Sequence, residues 1–196
     1  MTDRSFSDVL AHRRSVRTYS AEPIPLDRLE RLVHVAQDPT GDGDHRAAPS
    51  AHALYPLRLY VTAGRVRGLD VGMYSADPAG TGFEPVSSRD LRPLLRAAAF
   101  DDQPWIEDAA AIISLYADIE VANSHFHDQP PLGGRGERYV FIEAGAVAQN
   151  MLLQATAMNI ATVLVAGFDD EETARIQDLA LTPLMHICMG IPAAGT

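Results

Sequence analysis

One long apolar stripe limits the folds that this chain can adopt. Between Glu137 and Met158, apolar side chains recur at steps of three and four residues, which is the period of an α-helix with one buried face. These side chains are Val140, Phe141, Ala144, Val147, Ala148, Met151, Leu152, Ala155 and Met158. A helix that is apolar over so broad a stripe needs cover on several sides. We therefore expect it at the centre of a core or in an interface between subunits.

Shorter patterns predict that helices and strands interleave along the rest of the chain. Helical spacing and capping residues predict helices over residues 5–14 with Ser7 as N-cap, 25–37, 88–100 with Ser88 as N-cap, and 169–179. Alternating or continuous apolar runs predict strands over residues 57–62, 71–75, 109–116, 161–168 and 184–191. The polar stretch 119–136 is interpreted as a long loop that can act as a lid. Since strands and helices do not alternate strictly, we expect one α+β domain over residues 1–196, with three layers at most.

The net charge of the chain argues against some classes of binding partner. A net charge of −10 and a pI of about 5.0 give a surface that repels nucleic acid and anionic lipid. No segment approaches the roughly 20 continuous apolar residues of a membrane span, and the first five residues lack the apolar stretch of a secretory signal. The single cysteine, Cys188, excludes a disulfide within the chain. We therefore expect a cytoplasmic protein that binds neither nucleic acid nor membranes.

A cluster of arginines interrupts this acidic composition near the amino terminus. Residues 13–17 place three guanidiniums and a hydroxyl close together, and the side chains concerned are Arg13, Arg14, Ser15 and Arg17. Guanidinium offers a planar fork of donors that suits phosphate oxygens, so this segment is a candidate anion site. The alternative is that the arginines complement the carboxyl end of the first helix and otherwise face water.

Two further segments can contribute to a site. Residues 49–56 read Pro-Ser-Ala-His-Ala-Leu-Tyr-Pro; their small side chains let the backbone approach a planar ligand, and Ser50 supplies a donor. Residues 164–170 end a predicted strand at Gly167, where free N–H groups can bind an anion or an electron-rich ring nitrogen. The alternatives are an ordinary turn for the first segment, and a loop glycine followed by Asp169 as N-cap for the second.

Other common sites have little support in the sequence. Seven histidines are scattered, and only His125 and His127 lie close together, without an acidic or cysteine partner at helical spacing. We therefore expect no metal site. No Gly-x-Gly-x-x-Gly, Walker loop or Gly-x-Ser-x-Gly elbow occurs, which argues against a Rossmann dinucleotide site and an α/β-hydrolase triad.

The order of these segments resembles the nitroreductase superfamily and, within it, the SagB/McbC-type dehydrogenases that oxidise peptide azolines to azoles. Residues 13–19, Arg-Arg-Ser-Val-Arg-Thr-Tyr, are similar to the family's Arg-(Arg/His)-Ser-x-(Arg/Lys)-x-(Phe/Tyr). Residues 49–56 are similar to its Pro-Ser-(Ala/Gly)-Gly-Ala-Leu-Tyr-Pro. Residues 136–150 resemble, in order, its Gly-Tyr-Arg-Tyr, Glu-Ala-Gly-His and Gln-Asn, and residues 166–170 resemble the segment that faces the isoalloxazine ring. The resemblance covers nearly the whole chain.

This resemblance implies an FMN-dependent oxidoreductase with a nitroreductase-like three-layer fold, in which helices flank a mixed, mainly antiparallel sheet and a long central helix. It implies that the arginine segment holds the FMN phosphate and ribityl chain. The backbone that would face the ring belongs to Val165, Ala166 and Gly167. The residues that would line the flavin across a homodimer interface are Pro49, Ser50, Ala51 and Leu54. Related biosynthetic enzymes are the other partners that it implies.

The sequence departs from the family pattern where the catalytic base is expected. The dehydrogenases carry a Lys-Tyr pair just before a Gly-x-Arg-Gly segment, whereas this chain has Pro131 and Leu132 there, and neither can move a proton. The histidine that follows Glu-Ala-Gly in the family is Ala146. Hydride acceptance does not depend on these residues, because the cofactor performs it. The candidate bases that remain open are Tyr55, Arg138, Tyr139 and His52.

Three functions follow from these observations. The first is an FMN-dependent dehydrogenase that acts on a peptide-derived or other specialised metabolite. The second is a nitro- or quinone reductase that takes electrons from NAD(P)H and needs only an open flavin face. The third is a catalytically degenerate relative that serves as a scaffold or binding subunit in a biosynthetic complex.

Overall fold

A six-stranded antiparallel sheet organises the residues that the computed structural model describes, which are 5–41, 45–77 and 82–195. Its strands are β2 (Leu57–Ala63), β4 (Gly72–Ala76), β5 (Phe83–Ser87), β6 (Ala111–Ala117), β7 (Ala161–Val165) and β8 (Thr182–Gly190). They are ordered β5-β4-β2-β6-β8-β7, and each neighbouring pair is antiparallel. A separate short pair, β1 (Ile24–Pro25) and β3 (Val66–Arg67), is parallel. The strand arrangement is therefore mixed and mainly antiparallel, as predicted.

Helices cover both faces of this sheet. They are α1 (Phe6–His12), α2 (Leu26–Gln37), α3 (Arg92–Ala98), α4 (Pro104–Asp108), α5 (Ile119–His125), α6 (Arg135–Ala157) and α7 (Asp170–Gln177). One apolar cluster joins α2 and α6 to the sheet, and a second joins α3, α4 and α7 to its other face. The α+β class and the three-layer arrangement are thus confirmed.

Among the described residues, no helix combines the length and the apolar character needed to cross a membrane.

The central strand and the central helix form as their patterns predict. Every residue of β6 is buried. Its two faces are both covered, since Ile113 packs in one apolar cluster and Ile112 in the other. A strand that is covered on both faces is typically apolar along its whole length. Helix α6 begins at Arg135, two residues earlier than predicted, and runs for 23 residues. One stripe of α6 is left uncovered, with Phe141 52% and Ile142 62% exposed.

Two predicted helix starts are wrong. Helix α1 is capped by Ser5, whose side chain accepts the N–H of Asp8, and Ser7 lies inside the helix. Helix α3 begins at Arg92 with no side-chain cap, so Ser88 is not its N-cap. Pro93 occupies the first turn of α3, where its missing N–H costs nothing, and this fixes the start later than predicted.

The interpretation of residues 119–136 as one long loop is also wrong. Residues Ile119–His125 form helix α5, whose first turn is capped because the Asp118 side chain accepts the N–H of Val121. Helix α5 packs directly on α6, since a Cβ added at Gly136 would overlap the backbone of Ala122. Only residues 126–134 remain a connection between helices. The elements without a sequence prediction include the exposed edge strand β5, the five-residue helix α4 and the two-residue strands β1 and β3.

Candidate functional site

The arginine segment lies along the ends of β7 and β8. After α1 ends, the N–H of Val16 donates to the carbonyl of Thr162 in β7 at 2.8 Å, and the N–H of Ser20 donates to the carbonyl of Ile191 just beyond β8 at 2.8 Å. Two backbone hydrogen bonds therefore fix an otherwise irregular segment against the sheet. The arginines are held beside the same strand that leads to Gly167.

The guanidiniums of this segment are free to bind an anion. Arg13 is half-buried, while Arg14 and Arg17 are exposed. Arg17 stacks over the ring of Trp105, with its guanidinium carbon 5.1 Å from the ring centroid, and such stacking leaves the N–H edge available. Within the described part of the chain, no carboxylate forms a salt bridge with any of the three. On a chain of net charge −10, this is a local concentration of unpaired positive charge.

Strand β7 ends at Val165, earlier than predicted, and Gly167 lies two residues beyond it. The carbonyl of Gly167 accepts two hydrogen bonds, from the N–H of Phe100 at 2.9 Å and from Nε2 of Gln103 at 3.3 Å. The N–H groups of Ala166 and Gly167 donate to no backbone carbonyl among the described residues. Asp169 caps α7 by accepting the N–H of Glu172, so the alternative assignment of Asp169 as an N-cap is confirmed. Two backbone donors nevertheless remain available beside Gly167.

The distance along β7 suits a long, flat ligand. Thr162, which bonds to the arginine segment, precedes Gly167 by five residues, which corresponds to about 16 Å of extended strand. An extended molecule with an anionic tail can therefore reach from the guanidiniums to the free amides. Trp105 lies under Arg17 at one end, and Phe100 and Gln103 surround Gly167 at the other.

The Pro49–Pro56 segment contacts α5 through His52 and α6 through Ser50. Ser50 accepts the N–H of Tyr55 at 2.9 Å, which closes a tight turn. His52, Ala53 and Tyr55 have φ values of 53°, 52° and 47°. Residues other than glycine rarely adopt this left-handed region, and such strain persists where the surroundings fix it, often at functional sites.

A buried carboxylate anchors this turn. Glu143 is 3% exposed; it accepts a hydrogen bond from Nε2 of Gln37 at 2.7 Å and one from the Ser50 hydroxyl. Burial raises the pKa of Glu143, while the bonds to Ser50 and Gln37 and the charge of Arg46 oppose that rise. Glu143 is not among the site residues that the sequence predicts. The one signal in the sequence is that this charged residue lies within the apolar stripe of α6, where a buried carboxylate needs hydrogen-bond partners.

Tyr55 borders an open pocket between this turn and the sheet. The pocket has a volume of about 640 Å³, and the guanidinium of Arg46 stacks over the Tyr55 ring at 4.4 Å. Further polar side chains that line it are Gln37, Arg58, Tyr60, Ser75, Asp77 and Glu84. This candidate base is therefore accessible to a small molecule.

Two other candidate bases meet in one aromatic cluster. Nδ1 of His52 lies 3.2 Å from Nε2 of His125, and the His52 ring lies 4.9 Å from that of Phe126. Phe126 also contacts the Tyr139 ring at 4.7 Å. The remaining candidate, Arg138, is exposed on α6. His125 was noted in the sequence only for its closeness to His127, and its contact with a residue 73 positions away has no local signature.

The Pro49–Pro56 segment makes no direct contact with the rest of the predicted site. No hydrogen bond or ring contact among the described residues joins it to the arginine segment or to Gly167.

The family model described as the nitroreductase family matches residues 10–191. The chain belongs to the nitroreductase family. It is 33% identical, over 93% of its length and 89% of the relative, to a protein of Methanocaldococcus jannaschii whose name assigns it to the nitroreductases. It is 28% identical, over 92% of its length and 83% of the relative, to an NADH dehydrogenase of Thermus thermophilus. Proteins of this family are oxidoreductases, and we describe the chain as a nitroreductase-family oxidoreductase.

Solved structures share the fold of this nitroreductase-family protein. A nitroreductase-like protein of Anabaena variabilis superposes with a TM-score of 0.81 at 22% identity, over 96% of this chain but only 38% of that longer chain. The microcin synthetase McbBCD complex of E. coli, bound to a truncated precursor, gives 0.72 at 20% identity, over 97% of this chain and 73% of the matched one. A protein of Exiguobacterium sibiricum in complex with FMN gives 0.70 at 16% identity, over 100% and 92%. These likenesses show the fold.

Proposed function

We propose that this nitroreductase-family oxidoreductase binds FMN and uses it to exchange a hydride with its substrate. The observation that carries the proposal is the hydrogen bond from Val16 to Thr162, because it holds the unpaired arginines beside the strand that leads to the free amides of Ala166 and Gly167. FMN has a dianionic phosphate at one end and an amphipathic ring at the other. The crystallised FMN complex of the Exiguobacterium sibiricum relative supports the same cofactor here.

The arginine segment and the backbone near Gly167 each have a role in this proposal. Charge-assisted hydrogen bonds to the phosphate and ribityl chain come from Arg13, Arg14, Ser15 and Arg17. The amides of Ala166 and Gly167, with the adjacent backbone of Val165, donate to the electron-rich edge of the ring. Hydride transfer is the chemistry that the bound flavin supplies, while the protein binds, orients and shields it.

The proposed active form is a homodimer. Phe141 and Ile142 expose apolar side chains on α6, and Gly145, one turn further on, faces open space. An exposed apolar stripe on the central helix suits a second copy of the chain. That copy would bring Pro49, Ser50, Ala51 and Leu54 to the flavin bound by its partner.

Charge placed on this helix tests the dimer. We expect Ile142→Glu to give a monomer in analytical ultracentrifugation, with a matching loss of bound flavin, since an ionised carboxylate cannot be buried unpaired in an interface. The matched control is Val86→Glu, because Val86 is similarly exposed, at 47%, but lies on edge strand β5. A dimeric, flavin-loaded Ile142→Glu protein would exclude α6 from the interface.

The proposed substrate class is a peptide-derived or other specialised metabolite, oxidised as in the azoline-to-azole reaction. The resemblance to SagB/McbC-type dehydrogenases and the fold shared with the microcin synthetase complex support it. The NADH dehydrogenase of Thermus thermophilus favours a second candidate, an NAD(P)H-dependent nitro- or quinone reductase. A third, a binding subunit without activity, is favoured by Pro131 and Leu132, which are exposed and carry no ionisable group.

Flavin content and electron donor distinguish these functions. We expect the purified protein to be yellow, to release FMN on denaturation, and to melt at a higher temperature when FMN is added. A colourless protein that FMN does not stabilise would leave only the binding subunit. For the yellow protein, rapid anaerobic bleaching by NADPH identifies the reductase. Slow bleaching by NADPH, with oxidation of an azoline peptide under oxygen, identifies the dehydrogenase.

A further inference from the structure

The His52 and His125 rings face each other edge to edge. Their Nδ1 and Nε2 atoms are 3.2 Å apart and their ring centroids 5.4 Å apart, so the two nitrogens lie between the ring centres and point at one another. In this arrangement one neutral imidazole donates its N–H to the lone pair of the other. The rings therefore share a proton.

The surroundings fix this pair in place. Phe126 is buried and contacts both rings, at 4.9 Å from His52 and 4.6 Å from His125. Tyr139 supports Phe126 from the other side, and its hydroxyl donates to Oε1 of Gln129 at 2.9 Å. His52 is held at a φ of 53°, a strained value for a residue other than glycine. A strained, supported and exposed imidazole is suited to proton transfer.

We propose that His52 exchanges a proton with the substrate of the flavin site and that His125 is its positioning residue, sharing that proton. The inference rests on the proposed function, since residues 49–56 bring His52 to the flavin. Pro131 and Leu132 cannot carry out this step. In this proposal, His52 and His125 replace the proton-carrying side chains that Pro131 and Leu132 lack.

The proton balance of either reaction direction fits the pair. When the substrate is oxidised, one C–H bond breaks with its electron pair leaving as hydride to the flavin. The neighbouring C–H or N–H bond breaks with its proton passing to His52, and its electrons form the new double bond. When a quinone is reduced, the hydride and the proton travel the other way.

Charged and titratable groups lie on the elements packed against the pair. They are Asp118 and Glu120 at the start of α5, His127 and Asp128 after it, and Arg135, Glu137, Arg138 and Tyr139 at the start of α6. Among the described residues none of these forms a hydrogen bond with either ring, and Nδ1 of His127 is bonded to the Ser124 carbonyl at 3.0 Å.

Three matched variants separate proton transfer from structure. His52→Asn keeps an amide near Nδ1 and suits the left-handed backbone, His125→Gln keeps an amide near Nε2, and neither replacement titrates. His127→Gln is the control, because the His127 ring is bonded to the Ser124 carbonyl and makes no hydrogen bond or ring contact with the pair among the described residues. Melting temperatures of all three should lie close to that of the wild type, which confirms that each variant folds.

The first measurement needs no cofactor. In NMR spectra of flavin-free protein with 15N-labelled histidines, we expect a coupling through the hydrogen bond between Nδ1 of His52 and Nε2 of His125. His125→Gln should lose this coupling, and His127→Gln should keep it. Wild-type protein without the coupling would overturn the sharing of a proton.

The second measurement follows reoxidation of dithionite-reduced, FMN-loaded protein by benzoquinone in a stopped-flow instrument across pH. We expect His52→Asn to slow it about 100-fold or more and to abolish its pH dependence near neutrality. His125→Gln should slow it less and shift the pH profile, and His127→Gln should match the wild type. A flavin-loaded His52→Asn protein with the wild-type rate and profile would overturn this inference and leave the proposed function standing. Wild-type protein that binds no flavin would instead overturn the proposed function.

Discussion

Replacing Glu143 by alanine removes the acceptor that holds the Pro49–Pro56 turn. Nε2 of Gln37, in a side chain that is 1% exposed, loses its partner, and so does the hydroxyl of Ser50. A buried polar group left unpaired costs about 1–3 kcal/mol. Since Ser50 is only half-buried, water compensates part of its loss, and we expect a total of about 2–4 kcal/mol.

Thermal unfolding measures this loss. In a domain of this size, 1 kcal/mol corresponds to about 2–4 °C in melting temperature, so Glu143→Ala should melt roughly 5–15 °C below the wild type. Glu143→Gln should lose less than about 1 kcal/mol, because its amide oxygen still accepts from Gln37. The matched control Glu137→Ala removes an exposed glutamate from the same helix and should also lose less than about 1 kcal/mol.

The pH dependence of the glutamine variant provides a second check. Burial raises the pKa of Glu143 above its ordinary 4.5, so the folded chain binds a proton more tightly than the unfolded chain does. Wild-type stability from this group is therefore greatest below pH 4.5 and falls as pH rises toward the raised pKa. The difference in free energy of unfolding between Glu143→Gln and the wild type should therefore shift in favour of the variant as pH rises above 4.5. Equal melting temperatures for the alanine variant and the wild type would refute the anchoring role of Glu143.

Two further predictions concern packing and acid stability. Gly136→Ala should lower the free energy of unfolding in urea by about 1–3 kcal/mol, because its Cβ would overlap the backbone of Ala122. Gly134→Ala, where an added Cβ meets no atom within 4 Å, should change it by less than about 0.5 kcal/mol, and equal effects would contradict the close packing of α5 on α6. Burial lowers the pKa of His186 from 6.5 to about 4, so its contribution to stability is complete above pH 6.5 and is lost as pH falls to about 4. The slope is about 1.4 kcal/mol per pH unit; His186→Gln should flatten this slope in urea titrations, and an unchanged slope would contradict a buried neutral imidazole.

The elements that the sequence predicts well are those whose own pattern reflects their burial. Helix α6 carries a long apolar stripe, and β6 is apolar throughout because both of its faces are covered. Helix α5 was missed because it buries only Ala122; it is stabilised by its contact with Gly136 rather than by an apolar face of its own. Edge strand β5 was missed because its residues are mostly exposed and include Pro85.

The candidate site also has a part that the sequence predicts and a part that it does not. Short segments of distinctive chemistry, such as the arginines of residues 13–17, can be found from the sequence because their residues are neighbours in the chain. The pairs Glu143–Ser50 and His52–His125 join side chains that are far apart in the sequence. Tertiary packing alone brings each pair together, so no local spacing predicts them.

The central claim is that the arginine segment grips the phosphate of a flavin whose ring reaches Gly167. Binding of FMN and of riboflavin, which lacks the phosphate, tests it most directly in a fluorescence titration of flavin-free protein. We expect FMN to bind about 100-fold more tightly than riboflavin, since two charge-assisted contacts contribute roughly 3 kcal/mol together. Arg13→Ala combined with Arg17→Ala should abolish that difference, and the exposed control Arg89→Ala should keep it. Equal affinity of the wild type for both flavins, or an undiminished preference for FMN in the double variant, would contradict the claim.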